Sequence, residues 1–431
     1  MFEPFTLSVI LMILLAVFGL SIGISMLVGT ILYLGMAGWD TSIAAETVLQ
    51  GLFNTYTLLA IPLFILAADI MNVGSLSDRL LRFSEALVGR FRGGLGHVNV
   101  VASLIFSGMS GSAVADAVGM GKIVINMMTK DGKYTKSYAA AITAATATVG
   151  PIIPPSLPMV MYSLVSDASI GFLFAAGILP GLLMGLCMAG TNAFIAHKRN
   201  FPVEKPVPLR ELPRLTWQAF PALMLPVILL GGIYGGIMTP TEAAAVAAFY
   251  ALIISVLFYR SVSFKAFFQA LKNSSRSSAA VGVLIMGAIA FNYVITRENI
   301  PVSLAAFMAQ YDLSPLEFLL AINVLFLLLG CALEPGPILL IIVPIFIPTV
   351  NALGIDLVHF GVIVVINAMI GLVTPPVGML LFIVTNITKA KTTDIIKDVL
   401  PFLFILILAL LVVTIWEDFV LFLPRLVGYT G

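Results

Sequence analysis

Four short segments rich in glycine, proline and serine interrupt apolar stretches of this chain. They are SGMSGS (107–112), ATATVGPIIPPSL (145–157), GCALEPGP (330–337) and INAMIGLVTPPVG (366–378). Glycine and proline stop a helix and free backbone carbonyls, which in hydrocarbon survive only where they line a buried or wet cavity. Carbonyls, hydroxyls and carboxylates bind hard cations, and the N-termini of half-helices point partial positive charge at anions. The residue types therefore predict a site for a cation and an anion.

The candidate cation ligands fall into two groups, each pairing one serine- or glycine-rich segment with one proline-rich segment. The first group contains Ser103, Ser107, Gly108, Val149, Gly150 and Pro151. The second group contains Gly330, Ala332, Gly371, Thr374 and Pro375. Any one of these small residues is equally compatible with close helix–helix packing. The four segments taken together favour ion binding.

Ionisable side chains at membrane depth are costly and are usually functional. Asp116 follows the first serine-rich segment, where a carboxylate also stabilises the start of a helix. Glu334 lies beside the prolines of the third segment and is interpreted as functional. Asp69 and Asp167 lie near the ends of apolar stretches and are interpreted as structural, whereas Lys122 is long enough to extend its amine to the membrane surface.

The composition is that of a polytopic membrane protein. Of 431 residues, 60% are hydrophobic and only 10% are charged, with a mean hydropathy of +1.10. A soluble protein has about 25% charged residues. No basic face exists for nucleic acid, and the N-terminal stretch lacks the basic start and cleavage site of a signal peptide.

Several other function classes find no support in the sequence. Cys187 and Cys331 lie in apolar runs and are interpreted as core residues, and no Cys/His cluster or HExxH motif indicates a metalloenzyme. An intramembrane protease needs paired aspartates or a Ser/His set within the spans. A passive channel needs a filter of carbonyl or charge rings, and none is recognisable.

The elements that must position these residues are membrane helices. Apolar runs predict spans near 5–21, 23–39, 57–73, 137–166 (broken), 171–196, 217–236, 241–259, 277–295, 357–388 (broken) and 399–424. The first two runs are short, so the glycine-containing turn between them is alternatively a kink in one helix. Two further runs, 94–129 and 315–351, have polar centres and arms that are short for complete spans. This pattern predicts re-entrant helical hairpins, the alternative being two ordinary spans with a tight loop.

The two halves of the chain are repeats. A shift of 221 places Gly150 on Gly371 and aligns the proline pairs, and shifts of 219 to 224 align further segments, including Asn99 with Asn323. Five Lys/Arg clusters, the linker 197–215 among them, are all placed in the cytoplasm by the positive-inside rule. The two hairpins then enter from opposite sides, both termini lie outside, and the repeat is inverted.

Two amphipathic segments are predicted to lie in the membrane interface. Residues 76–91 and 263–273 each place leucine or phenylalanine on one face and basic residues on the other. The alternative for both is a solvated connecting helix.

The combined motifs resemble the large membrane subunit of tripartite ATP-independent periplasmic (TRAP) transporters. The matching residues are SGMSGSAVAD, GPIIPPS, GGIYGGIMTPTEAAAV (231–246), the proline-rich second hairpin and GLVTPPVG. The resemblance implies an all-α elevator-type transporter with two re-entrant hairpins and two broken helices. It further implies co-transport of two or more Na⁺, a small anionic substrate, a small four-helix membrane subunit, a periplasmic binding protein and a multi-pass location in the bacterial inner membrane.

The resemblance also implies roles for particular residues. The two Na⁺ sites of the family correspond to the two groups of cation ligands above. The sialic-acid branch is the most similar, which implies substrate contacts near both hairpin tips and after the first proline pair. The substrate-binding candidates are Ser110, Ser112, Asp116, Ser156 and Glu334. Lys122 departs from the pattern, because a charge is not expected within this hairpin.

The predicted organisation follows from these assignments. The regions are 1–92 (scaffold and interfacial arm of repeat 1), 93–170 (first hairpin and broken helix), 171–216 (connecting helix and linker), 217–313 (scaffold and arm of repeat 2), 314–390 (second hairpin and broken helix) and 391–431 (C-terminal helix). The predicted function is Na⁺-coupled uptake of an organic anion, N-acetylneuraminate. The alternatives are a C4-dicarboxylate TRAP subunit and a stand-alone divalent-anion symporter.

Overall fold

The protein is helical throughout the part that the structure describes. A computed structural model describes residues 3–73, 76–130, 132–203, 207–310 and 313–431. Over these ranges the only β-type pairing is an isolated bridge between Arg92 and Val203. Those residues therefore confirm the predicted all-α class.

The first half begins with five helices and continues into a hairpin and a broken helix. The five are α1 (Pro4–Val17), α2 (Ile22–Met36), α3 (Ser42–Asn54), α4 (Ala60–Val73) and α5 (Leu76–Val88). They are followed by α6 (Gly94–Ser110), α7 (Ala113–Asp116), a π-helical segment (Ala117–Gly121), α8 (Lys122–Thr129), α9 (Lys136–Ala147), α10 (Leu157–Ser166) and α11 (Ile170–Lys198).

The second half repeats this order after the linker. Its outer helices are α12 (Leu212–Tyr234), α13 (Pro240–Ile253), α14 (Phe264–Arg297) and α15 (Ile300–Ala309). They are followed by α16 (Pro315–Gly330), α17 (Pro335–Pro337), a π-helical segment (Ile338–Ile342), α18 (Val343–Ala352), α19 (Leu357–Gly371), α20 (Met379–Thr388), α21 (Thr392–Ile415) and α22 (Glu417–Leu426).

Local sequence explains where two of the second-half helices begin. Thr239 and Glu242 form a capping box at the start of α13, and Ser314 and Glu317 form another at the start of α16. In each box the hydroxyl accepts from the backbone three positions further on, while the glutamate accepts from the cap residue. A proline occupies the first turn in both cases, where its missing N–H has no cost.

Seven of the described helices are long and apolar enough to cross a membrane. The first two predicted spans are separate helices, because Gly19 has a φ of +95° and Ser21 caps α2. The chain therefore breaks here, and the kinked single helix is wrong.

Three parts of the sequence interpretation differ from the structure. The amphipathic segment 263–273 is the first third of the continuous helix α14, because no glycine or proline separates it from the next span. The predicted span 399–424 is divided at Trp416 into α21 and the shorter helix α22. Helices α3 and α15 were not predicted, since both are short.

The repeat is visible helix by helix. The shift in sequence number between the starts of α6 and α16, and between those of α9 and α19, is 221, and for α10 with α20 and α11 with α21 it is 222. Both proline pairs, Pro154-Pro155 and Pro375-Pro376, contain a cis peptide bond. The π-helical segments of the two hairpins occupy equivalent positions, and a third π-helical segment, Ile254–Phe258, continues α13.

The helices pack as two groups. Helices α1–α5 and α12–α15 contact one another and are named the outer body, with α4 against α13 and α2 against α14. Helices α6–α11 and α16–α22 are named the hairpin body. Within it the repeats interlock, because α9 of the first half packs on α20 and α21 of the second. Both hairpins therefore belong to one body.

Candidate functional site

The tips of both hairpins and both helix breaks meet at one cavity. Its volume is about 150 Å³, and its wall is mostly apolar. The lining residues are Gly111, Ser112, Ala113, Val114, Pro151, Leu157, Pro158, Met161, Glu334, Pro335, Gly336, Met369, Leu372 and Met379. Segments from the two halves of the chain thus converge on one point.

Four helix starts face this cavity. Ala113 begins α7, Leu157 begins α10, Pro335 begins α17 and Met379 begins α20, and all four residues line it. The N-terminal end of a helix carries a partial positive charge and favours an anion. The four helix starts therefore favour an anion in the cavity, whereas the Glu334 carboxylate in the same wall opposes one.

The first hairpin tip turns tightly against the first proline pair. Gly111 has a φ of +57°, and a Cβ on it would lie 2.5 Å from the Pro155 carbonyl oxygen. Ser112 follows and caps α7 by accepting from the N–H of Ala115 at 3.3 Å. Only glycine fits this turn. Of the two serines that flank Gly111, Ser112 lines the cavity and Ser110 does not.

In the first broken helix, the hydrogen bonds at the end of α9 change from the α-helical spacing to a tighter spacing of three residues. The N–H groups of Thr148, Val149 and Gly150 each donate to the carbonyl three positions earlier, at 3.1 to 3.2 Å. Gly150 lies beside the hairpin tip, since a Cβ there would be 3.7 Å from the Ser112 carbonyl oxygen. Ser156 caps α10, and its hydroxyl also donates to the Pro151 carbonyl. In the first group of predicted cation ligands, named the first half-site, Gly150 therefore lies beside the hairpin tip and Pro151 beside Ser156.

The second group of predicted cation ligands, named the second half-site, contains a close contact between Gly330 and Gly371. A Cβ on Gly371 would lie 2.5 Å from the Cα of Gly330, so the end of α16 touches the end of α19. The N–H of Gly378 donates to the Cys331 carbonyl at 3.3 Å. The Thr374 hydroxyl, half-buried, donates to the Ile370 carbonyl at 2.7 Å. Ala332 lies at the exposed tip between these contacts.

Three polar candidates of the first hairpin, Ser107, Ser110 and Asp116, are buried and do not line the cavity. The Ser107 hydroxyl donates to the Ser103 carbonyl. Asp116 is 1% exposed and lies near Ser103, yet neither of its carboxylate oxygens has a partner with hydrogen-bonding geometry. The hydroxyl of Ser110 is likewise buried and unpaired. Unpaired buried oxygens are costly, which favours a functional use.

The predicted substrate residues are thus only partly brought together. Ser112 and Glu334 line the cavity directly, and Glu334 is exposed to it. Ser110, Ser156 and Asp116 are buried and do not line it. The predicted cation ligand Pro151 does.

The remaining charged candidates lie elsewhere. Lys122 is exposed on the return arm of the first hairpin, as expected for an amine that reaches the surface. Asp167 ends α10 with a φ of +59°. Asp69 lies within α4, and its Oδ2 atom is buried without a hydrogen bond. None of the three lines the cavity.

Sequence reasoning missed the polar pairs that hold each hairpin to its broken helix. Asn99 donates to Thr143 at 2.7 Å and accepts from Thr146 at 3.2 Å. In the second half the Asn367 amide donates to Asn323 at 2.6 Å. All five side chains are buried. Asparagine inside an apolar run was the available signal, and the repeat alignment had already paired Asn99 with Asn323.

The chain matches known transport proteins over nearly its whole length. The family model "Tripartite ATP-independent periplasmic transporter, DctM component" matches residues 9–419. The sialic acid TRAP transporter large permease protein SiaM of Vibrio cholerae is 40% identical over 95% of this chain and 96% of that protein. The C4-dicarboxylate TRAP transporter large permease protein DctM of Pseudomonas aeruginosa is also 40% identical, over 88% of this chain and 89% of that protein.

A solved structure shares the fold. The YdaH transporter of Alcanivorax borkumensis superposes with a TM-score of 0.65 over 86% of this chain and 88% of that one, at 16% sequence identity. With seven membrane-length helices among its described residues and permease relatives, the protein is a multi-pass protein of the inner membrane. It is a transporter subunit and not an enzyme. The chain belongs to the DctM family of TRAP transporter large permeases.

Proposed function

We propose that this chain is the permease of a Na⁺-coupled symporter that imports a hydroxyl-rich carboxylate, N-acetylneuraminate. A periplasmic binding protein delivers the substrate, and a small four-helix membrane subunit completes the transporter. The observation that carries the proposal is the single cavity shared by two hairpin tips and two helix breaks. Such convergence of half-helix ends is typical of secondary transporters with internal repeats.

Sodium coupling is supported by the chemistry of the two half-sites. Unwound helix segments supply carbonyl oxygens to Na⁺ in transporters of this kind. The first half-site offers oxygens from residues 149–151 together with the hydroxyls of Ser103 and Ser107. The second offers oxygens around Gly330, Gly371 and Thr374. Pro151 of the first half-site lines the cavity, and so does Leu372, the neighbour of Gly371 in the second. An ion at either half-site would therefore attract the anion.

The choice of anion rests on Glu334. A C4-dicarboxylate such as succinate has only acceptor oxygens when it is ionised, so an exposed carboxylate in the cavity wall repels it. N-acetylneuraminate carries one carboxylate and several hydroxyls, which donate to Glu334. The helix N-termini around Ala113 and Leu157 then face its carboxylate. A C4-dicarboxylate remains the alternative substrate, because one relative of equal identity transports that class by name.

We further propose an elevator mechanism with re-entrant hairpins. All the residues that line the cavity belong to the hairpin body. The outer body contacts the hairpin body but contributes no residue to the cavity wall. Sliding of the hairpin body against the outer body moves the site as a unit across the membrane. The hairpins then enter the membrane from opposite sides, as the repeat predicts.

The test is uptake by proteoliposomes that contain this chain, its small membrane subunit and its binding protein. We expect accumulation of labelled N-acetylneuraminate with an inward Na⁺ gradient and little without one. Succinate should not accumulate. Equal uptake with K⁺ replacing Na⁺ would contradict the coupling, and succinate uptake alone would contradict the substrate. Robust uptake by this chain without its two partners would contradict the tripartite assembly.

A further inference from the structure

One polar contact joins the outer body to the second hairpin. Asn292, on the long helix α14, donates its amide N–H to the carbonyl oxygen of Leu340 at 3.0 Å. Leu340 belongs to the π-helical segment Ile338–Ile342 of the hairpin return arm. The contact therefore crosses the interface along which an elevator slides.

The local sequence explains why this carbonyl accepts a side chain. In an α-helix the Leu340 carbonyl pairs with the N–H of residue 344, but that residue is proline and has no N–H. The surrounding turn has π geometry, a form that often marks functional sites. The hairpin thus offers a backbone acceptor to whatever faces it.

The first repeat contains the matching pair. A shift of 220 places Asn72 of α4 on Asn292, and a shift of 221 places Gly119 on Leu340. Gly119 lies within the first hairpin's π-helical segment, Ala117–Gly121. A Cβ on Gly119 would lie 3.2 Å from the Oδ1 atom of Asn72. Both repeats therefore point an asparagine from the outer body at a π segment of the hairpin body.

The pairs Asn292–Leu340 and Asn72–Gly119 differ in their hydrogen bonding. Asn292 is hydrogen-bonded to its hairpin, whereas the Oδ1 atom of Asn72 is buried beside Gly119 without a partner. The Oδ1 atom of Asn292 is buried and unpaired as well. A buried unpaired amide oxygen is costly. The cost is explained if each side-chain amide makes its full set of hydrogen bonds only when the hairpin body occupies another position relative to the outer body.

The interface around Asn292 also has room for movement. A cavity of about 270 Å³ separates α3 and α14 from α10 and the second hairpin, and Asn292 and Leu340 both line it. The rest of its wall is apolar apart from Thr55. A loosely packed apolar contact with one polar link permits sliding between a few defined positions.

We propose that Asn292 and Asn72 are alternating positioning residues of the elevator. Asn292 holds the second hairpin in the state seen here, and Asn72 holds the first hairpin by donating to the backbone near Gly119 in the opposite state. Inverted repeats exchange their roles between the two states of such a transporter, so the engaged asparagine exchanges too. The inference rests on the proposed elevator mechanism.

The test measures the state with a cross-link between two residues that do not line the cavity. A Cβ on Gly171 of the hairpin body would lie 3.3 Å from Ile233 of the outer body. In a background of Cys187→Ala and Cys331→Ala, the pair Gly171→Cys and Ile233→Cys reports the present state through its cross-linking yield. Asn292→Ala should lower the yield severalfold, and Asn72→Ala should raise it. Asn292→Gln, which keeps an amide donor, should restore part of the yield.

Controls separate this inference from the elevator itself. Asn273→Ala, an exposed asparagine on the same helix, should leave the yield unchanged. Thermal unfolding in detergent identifies any variant that fails to fold, in which case the Gln variants at both positions provide the comparison. Unchanged yields, or equal shifts in the same direction, would overturn the roles of the asparagines. A wild-type yield that does not respond to Na⁺ and substrate would overturn the elevator proposal instead.

Discussion

At the scale of single residues, two side chains that the sequence predicted to bind substrate lie at the same cavity. Ser112 and Glu334 were predicted from separate hairpins, and both line one cavity. Their proximity could be predicted, because the repeat pairs each hairpin with one broken helix. The buried ties Asn99–Thr143 and Asn323–Asn367 were not predictable, since an asparagine in an apolar run does not reveal its partner.

The hydroxyls of the two half-sites should set the Na⁺ dependence of transport. Thr374→Ala and Ser107→Ala each remove one oxygen donor from a half-site without opening a large cavity. We expect each to raise the Na⁺ concentration at half-maximal uptake roughly tenfold, which corresponds to about 1.4 kcal/mol. Proteoliposome uptake measured against external Na⁺ tests the change.

Matched controls exist for both variants. The hydroxyls of Thr216 and Ser275 also donate to the carbonyl four positions earlier, at 2.8 Å, but they lie on α12 and α14 and belong to neither half-site. Thr216→Ala and Ser275→Ala should therefore behave as wild type. If the site variants keep the wild-type Na⁺ dependence, the assignment of Ser107 and Thr374 is wrong.

At the scale of helices, the breaks and hairpins follow from glycine and proline. The sequence placed hairpins at 94–129 and 315–351, and the structure has helical hairpins from Gly94 to Thr129 and from Pro315 to Ala352. The errors occur where the breaking signal is weak. Helix α14 continues through a change from an amphipathic to an apolar pattern, and α21 ends at Trp416 with neither glycine nor proline.

The glycine contact between α16 and α19 should be essential for the second half-site. A methyl group on Gly371 has no space, because its Cβ would lie 2.5 Å from the Gly330 Cα. We expect Gly371→Ala to destabilise the protein by roughly 1–3 kcal/mol through overpacking. The midpoint of thermal unfolding in detergent should fall.

Gly190→Ala is the control for this prediction. Gly190 lies within α11, and a Cβ there would meet nothing within 4 Å. That variant should unfold at the wild-type temperature or slightly above it, because alanine favours a helix more than glycine does. Equal unfolding temperatures for Gly371→Ala and wild type would show that the two helices cross less closely than described.

At the scale of the whole molecule, the internal repeat accounts for the order of the helices. The shifts of 219 to 224 read from the sequence reappear as shifts of 221 to 222 between helix starts. The packing of two bodies was not readable from the same pattern, because it depends on which apolar faces meet. The orientation of the repeats in the membrane stays a prediction from the Lys/Arg clusters.

Equivalent positions in the two repeats should label from opposite sides of the membrane. Lys130 follows the last helix of the first hairpin, Ala352 is its counterpart at the end of the second, and both are exposed. In a background of Cys187→Ala and Cys331→Ala, we expect Ala352→Cys to react with a membrane-impermeant thiol reagent in spheroplasts. Lys130→Cys should react only in inside-out vesicles. Labelling of both from one side would rule out the inverted repeat.

The central claim is that two cation half-sites share one anion cavity, and the ratio of ions to substrate tests it most directly. Proteoliposomes with all three components would be given ²²Na⁺ and labelled N-acetylneuraminate together, and both initial uptake rates would be measured. The account predicts at least two Na⁺ for each anion, one from each half-site. Substrate uptake with no accompanying ²²Na⁺ would contradict it.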